Sequence, residues 1–148
     1  MIQNVAVVSE LKRIANDHNG CLQPQDVVDA ARSETSPIHS FFDWDDTEAA
    51  EKWRVHQARN LIRVTVEYIG GDDQTLARVF VSLTPDRQTK EGYRATAAVM
   101  NNKQYREQLL TDALNEMKAF QAKYASLKEL DEVFKAIKAT SKKLKHVA

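Results

Sequence analysis

Five polar residues in the segment 46–63 have side chains suited to nucleic acid. At about 100° per residue they share one side of a predicted helix, and they are Lys52, His56, Arg59, Asn60 and Arg63. Lys52, Arg59 and Arg63 would bind phosphates, whereas Asn60, Arg59 or His56 could form hydrogen bonds with base edges. The spacing therefore predicts a DNA-binding surface on this helix.

Two further arginines belong to the predicted DNA-binding set. Arg78 and Arg94 fall in predicted strands, on a polar face that would also present Phe80. An aromatic ring among arginines can stack on a base. The alternative is that both arginines are simply solvated, which is the usual state of arginines on a sheet surface.

A run of acidic residues precedes the same helix, and two interpretations are open. Asp45 followed three residues later by Glu48 matches a capping arrangement, in which carboxylates complement the helix dipole. The rival is that the acids bind a divalent metal or activate water; they are Asp43, Asp45, Asp46, Glu48 and Glu51. The glycine and alternating spacing of a calcium loop are absent, so we favour the cap and predict no metal site.

The sequence also lacks the motifs of common catalytic sites. The four histidines have no metal-ligand spacing, and they are His18, His39, His56 and His146. No nucleophile elbow or phosphate-cradling glycine loop occurs, and the single cysteine, Cys21, suits a small buried position better than a reactive one. We therefore expect a protein that is not an enzyme and uses no cofactor.

The charge is balanced overall but unevenly distributed. The formal net charge is zero, yet residues 1–50 carry three Lys and Arg against nine Asp and Glu, while residues 101–148 carry ten against six. A neutral total argues against non-specific coating of nucleic acid, although a local patch can still bind phosphate. With no apolar leader or long uncharged run, we expect a cytoplasmic protein without a membrane partner.

Hydrophobic periodicity predicts the elements that position these residues. Apolar spacing favours helices over 5–19, 24–33 and 46–63, and it places Trp53 on the apolar arc of the third. Phe41, Phe42 and Trp44 would pin the intervening loop to the core. Alternating residues then predict a hairpin of strands 64–68 and 76–83 around the turn 70–73, a polar loop 84–92, and a third strand over 93–99.

The last third of the chain predicts two helices. The first covers about 102–124, and a capping box of Ser126 and Glu129 would open the second. The second carries a narrow apolar seam formed by Leu127, Leu130, Phe134, Ile137, Ser141 and Leu144. Such a seam suits a helical hairpin, packing on the same domain, or a dimer interface. We expect an α+β domain over 1–100 followed by a helical hairpin over 101–148, and a homo-oligomer.

The order of helix, short helix, longer helix and hairpin resembles a winged helix-turn-helix domain. The resemblance covers roughly 5–83, and it implies that the third helix enters the DNA major groove, with Lys52, His56, Arg59, Asn60 and Arg63 at the DNA. The predicted wing tip, Gly70-Gly71-Asp72-Asp73, departs from it by being acidic. Residues 36–63 also resemble uncharacterised small proteins of tailed phages and prophages, which implies a phage-encoded protein in a bacterial host cell.

Two functional hypotheses follow from these features. The first is a regulatory or architectural DNA-binding protein that uses the third helix. The second is an adaptor or inhibitor of a host or phage protein. It would act through the aromatic loop of Phe41, Phe42 and Trp44 and through the acidic region 1–50, where DNA mimicry is conceivable.

Overall fold

The computed structural model describes residues 2–44, 48–68, 75–89 and 92–145. It has an α+β fold of mixed helices and small antiparallel sheets, as the sequence predicts. The chain divides into two compact units, Met1–Lys103 and Gln104–Ala148, whereas we expected the boundary after residue 100. Each unit is described separately below.

The first unit begins with two helices whose ends follow the sequence signals. α1 spans Val5–Asp17 and starts where the Asn4 side chain accepts the backbone N–H groups of Ala6 and Val7, at 3.0 and 3.4 Å. Asn19 and Gly20 both have positive φ, so they end α1 as the sequence predicts. β1 (Cys21–Leu22) follows, and α2 (Pro24–Ala31) has Pro24 in its first turn.

The third helix is α3, Glu48–Val64, and it packs against α2. Its buried side chains join those of α1 and α2 in one apolar cluster, which includes Leu11, Ile14, Val27, Val28, Ala58, Leu61 and Ile62. The capping prediction at Asp45 and Asp46 lies outside the described residues, as does the side chain of Glu48. The predicted turn 70–73 lies outside them too.

The predicted hairpin forms, but its second strand is shorter than expected. β2 (Val66–Tyr68) pairs antiparallel with β3 (Leu76–Arg78), with Val66 opposite Arg78 and Tyr68 opposite Leu76. The chain then bends at Val79 and continues as β4 (Phe80–Val81) in a different sheet. The continuous strand predicted over 76–83 is therefore wrong, because β4 pairs with β5 and not with β2.

Two other segments also differ from their predictions. The polar stretch after Leu83 contains a short helix, α4 (Thr84–Thr89), where we expected only a loop. Its Pro85 and Asp86 are residue types favoured in a first turn. The third strand ends early, because β5 (Tyr93–Ala95) is followed by helix α5 (Thr96–Asn101) where we expected strand up to residue 99.

The second sheet has the strand order β1-β5-β4, and β5 is its central strand. Arg94 of β5 lies opposite both Cys21 of β1 and Val81 of β4. β1 thus pairs with β5, whereas the hairpin β2–β3 forms a sheet of its own among the described residues.

The second unit contains two helices. α6 spans Lys103–Lys123, close to the predicted 102–124, and α7 spans Asp131–Lys145. A 3-10 helix, Lys128–Leu130, precedes α7 and has no side-chain cap at Leu127, so the predicted capping box of Ser126 and Glu129 does not open the helix. The Phe120 and Phe134 rings meet edge to face at 6.4 Å, which joins α6 to α7.

Candidate nucleic-acid interface

The predicted polar side of α3 faces solvent. Lys52, His56, Asn60 and Arg63 are exposed, and Arg59 is partly buried. Their neighbours Ala58, Leu61 and Ile62 are buried in the core cluster on the other side of the helix. The helical periodicity thus predicted the exposure correctly. We call these five residues, Lys52, His56, Arg59, Asn60 and Arg63, the α3 stripe.

Three members of the α3 stripe have side chains that are available to a ligand. Among the described residues, Lys52, Asn60 and Arg63 form no side-chain hydrogen bond or ion pair. Arg59 does interact with the rest of the chain. Lys52 and Arg63 therefore remain available to bind phosphates, and the Asn60 amide remains available to bind a base edge.

Trp53 lies beside the stripe and corrects one prediction. We expected it on the buried arc of α3, but 52% of the residue is exposed. Its indole stacks on the His56 imidazole, with ring centroids 5.3 Å apart and 21° between planes. The signal was present in the sequence, since seven residues of helix place Trp53 only about 20° from Asn60 around the axis.

Glu51, near the start of α3, is bound by the side chains of three residues. Its carboxylate accepts hydrogen bonds from Gln25 at 3.0 Å, Arg32 at 3.1 Å and Arg54 at 2.9 Å. The Gln25 hydrogen bond, followed by those of Arg54 and the charge of Arg32, lowers the pKa of Glu51. Glu51 therefore joins α2 to α3 as a structural carboxylate.

Arg54 connects this carboxylate to the aromatic loop. It is 4% exposed, donates to the Asp43 carbonyl oxygen at 3.2 Å, and lies 5.5 Å from the centroid of the Trp44 ring. Trp44 in turn stacks on His39 at 5.0 Å and donates its indole N–H to the His39 carbonyl oxygen at 3.1 Å. These contacts make Arg54 a structural residue.

The aromatic loop is largely pinned to the core, as we expected. Phe42 is 8% exposed and belongs to the core cluster, and Trp44 packs against that cluster. Phe41 differs, because 36% of it is exposed. Of the three aromatic residues offered for a protein partner, Phe41 is thus the exposed one.

The two arginines outside α3 have different surroundings. Arg78 is exposed on β3. Arg94 forms a two-pronged salt bridge with Asp86, at 2.7 Å from Nε and 2.6 Å from a terminal nitrogen. Asp86 is 8% exposed, so this pair fixes α4 against β5 and we leave Arg94 out of the proposed interface. Phe80 is 2% exposed, so the expectation that it presents a stacking surface is wrong.

The described residues contain neither a cluster of metal-ligating side chains nor a membrane-spanning helix. No group of three or more His, Cys, Asp or Glu side chains there could hold a metal ion. In the same ranges, no helix has both the length and the apolar character needed to cross a membrane.

No protein-family model matches the chain, and no characterised protein or solved structure is significantly similar to it. The resemblances to winged-helix domains and to phage proteins therefore stay predictions. Any function has to be argued from the residues of this chain.

Proposed function

We propose that this protein is a non-enzymatic DNA-binding protein that contacts DNA through the α3 stripe. The observation that carries the proposal is the exposure of Lys52, Asn60 and Arg63 on one side of a helix whose other side is anchored in the core. A rigid helix with free cations can bind phosphates, and its exposed amide can read a base edge. Arg78 on the neighbouring hairpin would add a further phosphate contact.

The surroundings of α3 support this choice over an adaptor. Glu51, Arg54 and Trp44 hold both α2 and the aromatic loop against the inner side of α3. Their side chains therefore already make contacts within the protein. Because the loop turns Phe42 and Trp44 toward the core, it presents little of the aromatic surface on which the adaptor hypothesis depends.

Fluorescence anisotropy with a labelled blunt DNA duplex tests the proposal. Lys52→Ala and Arg63→Ala should each weaken binding across all duplex sequences and reduce the slope of log affinity against log salt by about one unit. Asn60→Ala should cost on the order of 1–3 kcal/mol at a preferred sequence, with little change in that slope.

Arg13→Ala is the matched control. Arg13 is an exposed arginine of α1 whose guanidinium already pairs with Glu10 at 2.8 Å and Asp17 at 2.6 Å. This variant removes the same charge from a different helix and should leave binding and salt slope unchanged. The proposal fails if wild-type protein does not bind duplex at low salt, or if the Lys52/Arg63 double variant binds as wild type does.

A further inference from the structure

A cavity of about 310 Å³ opens beside the α3 stripe. Its lining includes Phe41 from the 3-10 helix His39–Phe41, and Trp53, His56, Gln57 and Asn60 from α3. This volume is at the lower end of the range for small-molecule sites, about 300–1,000 Å³. The cavity therefore suits a single ring system better than a long ligand.

The aromatic part of the lining offers faces for stacking. Trp53 is 52% exposed and Phe41 is 36% exposed, although both border the cavity. A flat heterocycle placed there would cover aromatic surface that now faces water, and stacking of a base on an aromatic side chain is favourable for every base.

The polar part of the lining offers hydrogen bonds in the pattern that a base edge needs. The Asn60 amide has a donor and an acceptor, and it has no partner among the described residues. The Gln57 carbonyl oxygen accepts the Asp43 N–H at 3.2 Å, which leaves its amide nitrogen as a donor. Two amides beside aromatic faces are the groups expected around a nucleobase.

Cations lie on the same helix as this cavity. His56 and Asn60 belong both to the cavity lining and to the α3 stripe, which also carries the exposed Lys52 and Arg63. A base in the cavity would therefore have phosphates of its own strand near positive charge. An apolar peptide side chain would gain nothing from these cations, so the charge favours a nucleotide.

We propose that this cavity binds an unpaired nucleobase, stacked on Trp53 with its edge at Asn60. The inference rests on the proposed function and names its preferred ligand, which is DNA with a single-stranded or extrahelical base. In an intact duplex every base is stacked inside and cannot reach such a cavity. The α3 stripe alone would bind both forms, whereas the cavity distinguishes them.

The experiment compares three labelled probes with the full chain: oligodeoxythymidine, a blunt duplex, and the same duplex with a one-nucleotide bulge. Wild-type protein should bind the single strand and the bulged duplex more tightly than the blunt duplex. Trp53→Ala should weaken those two by roughly 5- to 150-fold, which is the loss expected for one stacked base. Binding of the blunt duplex and its salt slope should not change.

Two further variants make the result specific. Trp53→Phe keeps an aromatic face and should restore most of the affinity for the bulge. Tyr68→Ala removes another exposed aromatic residue of the first unit, on β2 and outside the cavity, and should have no effect. Circular dichroism of each variant checks that it is folded.

The possible failures separate the two proposals. If Trp53→Ala weakens no probe, or all three equally, while Lys52→Ala and Arg63→Ala weaken duplex binding, the cavity inference is overturned and the proposed function stands. If no probe binds, both are overturned. If an acidic peptide with one aromatic residue binds in a Trp53-dependent way and the nucleic acids do not, the cavity belongs to a protein partner and the inference is also overturned.

Discussion

Two arginines share one carboxylate oxygen of Glu51 but differ in what surrounds them. Arg54 has 5% of its side chain exposed, and Arg32 has 51%. Water competes with the Arg32 contact and screens its charge, while Arg54 is enclosed by Trp44 and the Asp43 backbone. The two ion pairs of Glu51, one with Arg32 and one with Arg54, should therefore contribute differently to stability.

Urea unfolding of Arg54→Ala and Arg32→Ala measures this difference. Arg54→Ala should lower the free energy of unfolding by about 2–3 kcal/mol, because it removes the charged hydrogen bonds of a buried guanidinium to Glu51 and to the Asp43 carbonyl oxygen. Arg32→Ala should cost less than about 1 kcal/mol, as exposed ion pairs do. Equal losses would mean that burial does not decide the strength of these contacts.

Replacing aromatic residues in the segment 36–63 should also have effects that depend on burial. Phe42→Ala should destabilise the fold by about 3–5 kcal/mol, since it removes a ring from the core cluster. Trp53→Ala should change the free energy of unfolding by less than about 1 kcal/mol, because half of that residue already faces solvent. Thermal and urea unfolding of both variants provide the comparison, and a large loss for Trp53→Ala would contradict the exposed position.

At the level of elements, Glu51 makes the junction of α2 and α3 sensitive to acid. Hydrogen bonds from Gln25 and Arg54 and the charge of Arg32 lower the pKa of Glu51 below its ordinary value of 4.5. The unfolded chain therefore takes up this proton first as the pH falls. The stabilisation is fully present above pH 4.5 and is lost as the pH falls through the lowered pKa.

Glu51→Gln tests this dependence. At neutral pH the variant should unfold at lower urea concentration than wild type, and the difference should shrink as the pH falls below 4.5 because wild type alone loses an ionised group at this position. Gln25→Ala removes the strongest cause of the lowered pKa, so its stability should fall less steeply with acid. A difference between wild type and Glu51→Gln that stays constant down to low pH would contradict the assignment.

The elements that local periodicity predicted well are helices, because the apolar pattern of a helix is complete within a single stretch of chain. α1, α2 and α3 have apolar sides that match their burial, and the α3 stripe is exposed as predicted. The strand ending in Val81 could not be predicted. Val79 is buried and its N–H bonds to the Thr65 carbonyl at 3.2 Å, after which the chain changes from one sheet to another.

Partners that are distant in sequence explain the other differences. β5 lies between β1 and β4, each of two residues, so its neighbours end and the chain continues as helix α5 from Thr96. Arg94 appears available for phosphate in the sequence because its partner, Asp86, belongs to α4, where the sequence predicts a loop. The cavity beside Trp53 is lined by both α3 and Phe41, and no local sequence pattern predicts that these two segments meet there.

At the scale of the whole molecule, the second unit carries apolar surface that its own helices leave open. On α6, Leu110 is 41% exposed and Met117 is 45% exposed, and their spacing puts them within about 20° on one side of the helix. On α7, Val133 is 47% exposed, whereas Phe134 and Ile137 are buried. Exposed apolar surface of this kind favours association. The homo-oligomer expected from the seam stays a prediction.

We therefore predict that the full chain self-associates through the second unit, and sedimentation velocity at micromolar concentration measures it. Leu110→Lys with Met117→Lys should convert a dimer or larger species into a monomer, because each lysine places a charge in the apolar contact. Ala119→Lys is the matched control: Ala119 is exposed and lies about 200° from Met117 around the helix, so association should persist. Circular dichroism must show that both variants keep their helices, and a monomeric wild-type chain would refute the prediction.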